Sequence, residues 1–276
     1  MSAQSPEDVK AAKIRSGAFN FLAKASESFG KGLIALVIAV IVALAGAGIA
    51  AAAIGAAAAQ AWQAVQSVEG PGIILTNSQV QQIYQQEMQQ AYEVVGFVTV
   101  LLLAVVYYAG KYVARGARLA WRGFSWLERV NAAPRSVEIR LGAVTFVLGS
   151  LLVALTLMAS LWTGIITADY LASGNTYAAQ EFLTTTLPSI NRFSVASWVV
   201  LVLGGIATGY AFLRCARACG VGQAKGGAVA SIVGFLLVLL SLLLPSAFLA
   251  VALKVVGLIA ALAGFYKARG GYLLMR

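Results

Sequence analysis

The stretch that decides the fold is residues 33–59, LIALVIAVIVALAGAGIAAAAIGAAAA, which contains no charged side chain. A helix needs about 20 apolar residues to cross the hydrocarbon core of a bilayer, which is about 30 Å thick. Five further apolar stretches follow, and Pro245 separates the last two: 94–110, 141–167, 195–213, 227–244 and 247–265. The sequence therefore predicts an all-α integral membrane protein with about six transmembrane helices.

Composition narrows the range of functions. Of the 276 residues, 60% are apolar and 11% are charged, whereas a soluble domain has about 25% charged residues. No histidine is present, so the commonest general base and zinc ligand is missing. The two aspartates, Asp8 and Asp169, cannot form an intramembrane catalytic pair, because Asp8 lies in a polar N-terminal segment. Cys215 and Cys219 are too few for a four-ligand metal site, and we expect no enzyme activity, cofactor or metal.

The basic residues alternate between the loops that follow successive spans. Eighteen of the 20 Lys and Arg residues lie before the first span or after the second, fourth and sixth spans. The opposite loops hold Arg192 and five acidic residues. Because positively charged loops stay in the cytoplasm, both termini are predicted to be cytoplasmic. The expected location is the cell membrane, as a multi-pass protein.

The chain is predicted to consist of an N-terminal helix and a membrane domain. Residues 1–30 are predicted to form a cytoplasmic amphipathic helix, capped by Ser5, that precedes a single membrane domain at 31–276. We expect this helix to lie on the inner membrane surface, and Gly30 and Gly32 to end it.

An extracytoplasmic helical hairpin, residues 60–93, is predicted after the first span and is named the stalk. The first helix should continue through 60–66, turn at 70–72 (Gly-Pro-Gly), and return in a glutamine-rich helix that begins at Thr76 or Asn77. The apolar stripe of the stalk either packs on itself or docks another subunit. The small residues of the first span similarly predict a partner interface or pore-side helix, with tight packing inside one bundle as the alternative.

Two internal similarities indicate three helical hairpins. Residues 142–155 and 227–240 match at 8 of 14 positions, and residues 109–116 and 263–270 match at 6 of 8. The first hairpin then corresponds to the third, with the stalk as an insertion. Chance similarity between apolar segments is the alternative explanation.

Lys254 is a charged residue deep inside a predicted span. A lysine in the membrane requires a partner, and Glu93 and Asp169 lie at the outer ends of the second and third spans. The three residues are therefore candidates for an ion pair that couples proton or substrate movement. Alternatively, the long side chain of Lys254 extends to the outer interface or contacts a partner subunit.

The basic connection at 111–140 carries a stripe of positive charge on one face of a predicted helix. Its members are spaced 4, 3, 4 and 7 residues apart: Lys111, Arg115, Arg118, Arg122 and Arg129. Interleaved tyrosine and tryptophan residues are typical of the interfacial belt of a membrane protein. We expect this face to contact anionic lipid headgroups, and a nucleic-acid backbone is the alternative ligand.

The segment 117–127, ARLAWRGFSWL, followed by the span that begins at Gly142, resembles uncharacterised polytopic membrane proteins of archaea over about half of the chain. The whole plan of spans, extracytoplasmic segment and basic loops is also similar to the polytopic membrane subunit of conjugation-type and DNA-import machines. This resemblance implies a pilus or ATPase partner and the passage of single-stranded DNA.

Two functions are therefore expected as alternatives. In the first, the chain is a non-enzymatic membrane subunit of a larger assembly, as a translocation channel or scaffold of the DNA-import or secretion type. Its protein partners would bind at the stalk and at the small-residue first span. In the second, the chain is a self-contained secondary transporter that uses Lys254 with an acidic partner.

Overall fold

The computed structural model describes residues 6–68, 77–132, 136–244 and 246–275. These residues form six helices: α1 (Pro6–Val68), α2 (Asn77–Arg129), α3 (Ser136–Ala172), α4 (Thr176–Ala218), α5 (Gly222–Ser241) and α6 (Ala247–Leu273). No strand occurs in these described ranges. All six helices are long and apolar enough to cross a bilayer, which confirms the prediction of an all-α chain with six candidate spans.

Helix α1 is longer than the sequence predicts, because it is not interrupted at Gly30 or Gly32. Close packing explains why glycine occupies these positions. A Cβ atom at Gly30 would lie 2.8 Å from the Tyr266 ring, and one at Gly32 would lie 2.6 Å from a methyl group of Val113. The predicted break is therefore wrong, since tertiary packing offsets the low helix propensity of glycine. Four predicted caps and turns lie outside the described residues: Ser5, 70–72, Thr76 and Pro245.

The apolar face at the start of α1 packs against α2. Leu22 and Phe29 are fully buried. A Cβ atom at Gly123 would lie 2.9 Å from Leu22, and one at Gly116 would lie 2.9 Å from the Phe29 ring. This face contacts protein in the described residues 6–30, and the position of the helix at the membrane surface stays a prediction.

The chain divides into two compact units. Unit 1 comprises the described residues within 1–37, 106–153 and 195–276, and unit 2 comprises those within 38–105 and 154–194. Unit 1 contains both short helices, α5 and α6, whereas unit 2 contains the stalk.

Within unit 1, α5 and α6 run antiparallel with their backbones in contact. Gly227 and Gly234 of α5 face Ala268 and Ala261 of α6, and a Cβ atom at either glycine would overlap backbone atoms of α6. Lipid tails are as apolar as leucine, so helices in a bilayer gain little from apolar burial alone. Backbone contact through small residues provides the dispersion energy instead.

The same kind of contact joins α3 and α4. A Cβ atom at Gly149 would overlap the backbone at Leu201, and one at Gly204 would overlap the backbone at Phe146. Both helices thus contribute glycine to a close antiparallel approach, and substitution at these positions would separate the helices.

Aromatic rings fill the centre of unit 1. Six buried phenylalanines, one from each helix, form a connected cluster: Phe29, Phe124, Phe146, Phe212, Phe235 and Phe265. The centroid of the Phe29 ring lies 5.4 Å from that of Phe265 and 5.6 Å from that of Phe146. Such pairs contribute about 0.5–1.5 kcal/mol beyond the burial of their surface. Within unit 1, the cluster therefore connects segments of all six helices.

The glycine contacts make a paired prediction about stability. Gly234→Ala should lower the melting temperature in detergent, because the added Cβ atom overlaps the α6 backbone and overpacking costs about 1–3 kcal/mol. Gly96→Ala should leave it unchanged or raise it, because Gly96 has no atom within 4 Å of the added methyl and alanine favours a helix. Thermal unfolding followed by circular dichroism measures both. Equal shifts in the two variants would contradict the proposed backbone contact.

Candidate functional site

The stalk residues 60–68 and 77–93 are helical, and two further helix ends belong to the same unit. α1 continues to Val68 and the return helix α2 begins at Asn77. Unit 2 also contains the end of α3 and the start of α4, which the sequence analysis treated as a loop. The turn between these two helices has Gly174 at φ 74°, and the side chain of Asn175 accepts a hydrogen bond from the Ala178 N–H at 3.1 Å. The Gly-Asn pair is a turn and cap signal that could have predicted this second hairpin.

Asp169 lies within a cluster of stalk tyrosines. Its Oδ1 accepts a hydrogen bond from the Tyr92 hydroxyl at 3.0 Å and a second, longer one from the Tyr84 hydroxyl at 3.4 Å. The structure therefore brings α3 to α2, and it joins a predicted site residue to two tyrosines that the sequence predicts only as members of the apolar stripe of the stalk. Tyr84 and Tyr92 are eight residues apart, a spacing that places both on one face of a helix.

The environment of Tyr84 keeps its hydroxyl protonated. The pKa of Tyr84 is raised to about 12. Burial is the main cause, and the negative charge of Asp169 is the second. The Tyr92 hydroxyl also remains a donor to the same oxygen. Both tyrosines therefore hold the Asp169 carboxylate in place as neutral donors.

Two cavities adjoin this cluster. The larger, named the stalk cavity, has a volume of about 490 Å³ and is lined by apolar and aromatic side chains that include Trp62, Tyr84, Met88 and Tyr92. The smaller has a volume of about 250 Å³ and is lined by Tyr92, Trp162 and Asp169 among others. Tyr92 lines both cavities. Glu93, the other predicted acid of this region, is exposed and lines neither cavity.

Lys254 lies beside an aromatic ring in unit 1. Its Nζ is 5.3 Å from the centre of the Trp198 ring, and Trp198 is buried. A cation at this distance from an indole ring is stabilised by the electrons of the ring face. Glu93 and Asp169 belong to unit 2, so an ion pair with Lys254 stays a prediction.

The five residues of the basic stripe lie on exposed positions of α2, as the spacing predicts: Lys111, Arg115, Arg118, Arg122 and Arg129. The Nζ of Lys111 lies 5.8 Å from the centre of the Tyr108 ring. Nearby in unit 1, the Glu27 carboxylate pairs with Lys31 at 2.7 Å and with Arg269 at 3.3 Å. The hydrogen bond from Lys31 is the main reason that the pKa of Glu27 is lowered. The stripe is thus an open cationic face.

The two cysteines lie where α4 ends. Cys215 is buried, and the Cys219 thiol contacts the carbonyl oxygen of Ala132 at 3.5 Å. Burial of Cys215 agrees with its interpretation as a small apolar residue at a helix end.

No protein-family model, curated protein or solved structure matches this chain.

The Asp169 cluster makes a prediction about tyrosine ionisation. Asp169→Asn should lower the pKa of Tyr84 from about 12 towards its usual 10, because the nearby negative charge is removed. Since the folded pKa exceeds the unfolded one, stability from Tyr84 is present below pH 10 and is lost as the pH rises through about 12. Tyrosinate absorbance, taken as the difference between each protein and its Tyr84→Phe counterpart, measures the pKa.

Glu93→Gln provides the matched control for this titration. It removes one negative charge from an exposed position of the same helix and should leave the pKa of Tyr84 in place. The cluster would be refuted by an Asp169→Asn protein with an unchanged Tyr84 titration.

Proposed function

We propose that this chain is a non-enzymatic membrane subunit of a larger assembly, with both termini in the cytoplasm and the stalk on the opposite side. The helix lengths support this proposal. At 1.5 Å per residue, α1 with 63 residues extends about 94 Å and α2 with 53 residues about 80 Å. A span across about 30 Å of hydrocarbon accounts for only a part of either helix. The remaining turns provide surface for contacts outside the bilayer.

A stripe of small residues on α1 gives the proposal its main support. It is exposed and its members are spaced alternately by 3 and 4 residues: Ala45, Gly48, Ala52, Gly55 and Ala59. Apart from the local helix backbone, no atom of the described residues lies within 4 Å of a Cβ atom built at Gly48 or Gly55. The α5–α6 contact uses small residues at the same kind of spacing to bring two backbones together. A transmembrane helix of another subunit would pack on the α1 stripe in the same way.

The internal similarities support an arrangement in three hairpins. Gly149 and Gly234 occupy equivalent positions in the matching segments 142–155 and 227–240. Each of them lies directly against the backbone of the following helix. Duplication of a helical hairpin would place glycine at the same point of contact twice.

The basic stripe of α2 favours a role in the handling of an anionic polymer or an anionic membrane surface. Its exposed cations suit anionic lipid headgroups, and they also suit the backbone of single-stranded DNA. More specifically, the larger assembly would be a machine that imports DNA. A partner ATPase would supply the energy in such a machine.

The alternative function is a self-contained secondary transporter. One observation favours it, namely that Lys254 lies half-buried over Trp198 in a helix long and apolar enough to span a bilayer. Charged residues inside membrane spans commonly belong to ion or substrate pathways. The acidic partner in this case would be Glu93 or Asp169.

A substitution in the α1 stripe tests the subunit proposal. Gly48→Leu should abolish most of the association with partner subunits, because the larger side chain prevents close approach of another helix. Mass spectrometry of proteins that co-purify in mild detergent measures the loss. Gly96→Leu makes the same change at an exposed glycine of α2, away from the stripe, and should retain the partners. Equal partner recovery from both variants would contradict the proposed interface.

Lys254→Met separates the two functions. It retains the length of the side chain but removes its charge and the contact with the Trp198 ring, a contact of about 0.5–2 kcal/mol. In a strain that lacks the gene, a subunit with this change should restore growth or DNA uptake as the unaltered protein does. If the chain is instead a transporter that depends on Lys254, the Lys254→Met variant should not restore the function in this assay, whereas the Gly48→Leu variant should restore it.

A further inference from the structure

Unit 2 is acidic although the chain as a whole is strongly basic. The net charge of the protein is +10, yet the ranges 38–105 and 154–194 contain five acidic residues and one basic residue, Arg192. A region that carries a net negative charge attracts cations and raises their local concentration. Cations are therefore the ligands that the charge of this unit favours.

The stalk cavity has the size and lining of a small-molecule site. Its volume of about 490 Å³ falls within the usual range for such sites, about 300–1,000 Å³. Three of its lining residues are aromatic: Trp62, Tyr84 and Tyr92. Trp62 is 54% exposed and Tyr92 is 47% exposed, so two large rings border a space that solvent can reach. Aromatic rings arranged around a cavity are the known means of holding ammonium groups.

A carboxylate stands beside these rings. Both of the hydrogen bonds to Asp169 Oδ1 come from neutral hydroxyl groups of the lining tyrosines. Neutral donors orient the carboxylate, and no salt bridge to Asp169 occurs among the described residues. Asp169 lines the smaller cavity, and the two tyrosines that bind it, Tyr84 and Tyr92, line the stalk cavity. A positive ligand in the stalk cavity would therefore lie beside the tyrosines that bind this carboxylate.

We propose that the stalk cavity is a binding site for an organic ammonium ion, held by Trp62, Tyr84 and Tyr92 and attracted by the Asp169 carboxylate. An inorganic ion fits less well, because the described residues contain no group of three or more side chains of the metal-ligating type. An anion would be repelled by Asp169, and a neutral apolar ligand would make no use of the charge. The site uses neither the α1 stripe nor the basic face of α2, so it can be tested separately from the partner interface proposed on α1.

The test uses the purified full-length protein in detergent and two probes of nearly equal shape. Choline carries a trimethylammonium group, and 3,3-dimethyl-1-butanol carries a neutral tert-butyl group in its place. Isothermal titration calorimetry should show saturable binding of choline and at least about tenfold weaker binding of the alcohol, because only the cation interacts with the ring faces. Choline binding should also weaken as the salt concentration rises.

Variants locate the site, and each has a matched control. Trp62→Leu should weaken choline binding about tenfold, whereas Trp121→Leu, which changes an exposed tryptophan of unit 1, should leave it unchanged. Asp169→Asn should weaken binding by a similar factor, whereas Glu181→Gln removes the same charge from an exposed position of unit 2 and should have little effect. Size-exclusion chromatography checks that each variant folds.

Three results would overturn the proposal: no saturable choline binding, equal binding of the neutral alcohol, or equal effects of Asp169→Asn and Glu181→Gln. The comparison of the two probes needs no variant, so it remains decisive if Asp169→Asn does not fold. Partner association is measured separately with Gly48→Leu. A failure of the cation site is therefore distinguishable from a failure of the subunit proposal.

Discussion

Contact between helix backbones at glycine is the constraint on which unit 1 depends. Gly234 of α5 and Gly149 of α3 each lie against the backbone of the next helix, with no room for a methyl group. Because lipid competes with apolar side chains for the same contacts, dispersion between closely approaching backbones must supply much of the association energy. The phenylalanine cluster around Phe29 then fills the space between helices that are held in this way. Gly116 makes room for the Phe29 ring itself.

Aromatic side chains partner many of the charges of this protein. Lys254 lies over Trp198, Lys111 lies beside Tyr108, and the guanidinium of Arg140 lies 4.2 Å from the centre of the Trp121 ring. The carboxylate of Asp169 is bonded to two tyrosines. In a chain with 11% charged residues and no histidine, rings and hydroxyl groups thus act as partners of charges beside ion pairs such as that of Glu27 with Lys31. The stalk cavity follows the same pattern, since Tyr84 and Tyr92 both line it and both bind the Asp169 carboxylate.

The parts of the fold that the sequence predicts well are those that depend on local patterns. The apolar runs locate all six helices, and the spacing of Lys111 to Arg129 predicts an exposed face of α2. The prediction fails at Gly30 and Gly32, where packing against Tyr266 and Val113 maintains the helix. It also misses the helical ends of α3 and α4, because the polar residues there have no strong periodicity and gain their order within unit 2.

The sequence alone determined that this is a multi-pass helical protein without histidine, the general base of the common serine and cysteine hydrolases. Composition and hydropathy are properties of the linear chain. Only the tertiary structure decided which residues share a site. It brings Asp169 to Tyr84, 85 positions away, and it brings Lys254 to Trp198. Such pairs depend on helix register and on which faces pack together. Those choices follow from contacts such as the one between Gly234 and Ala261, and no local pattern in the sequence specifies them.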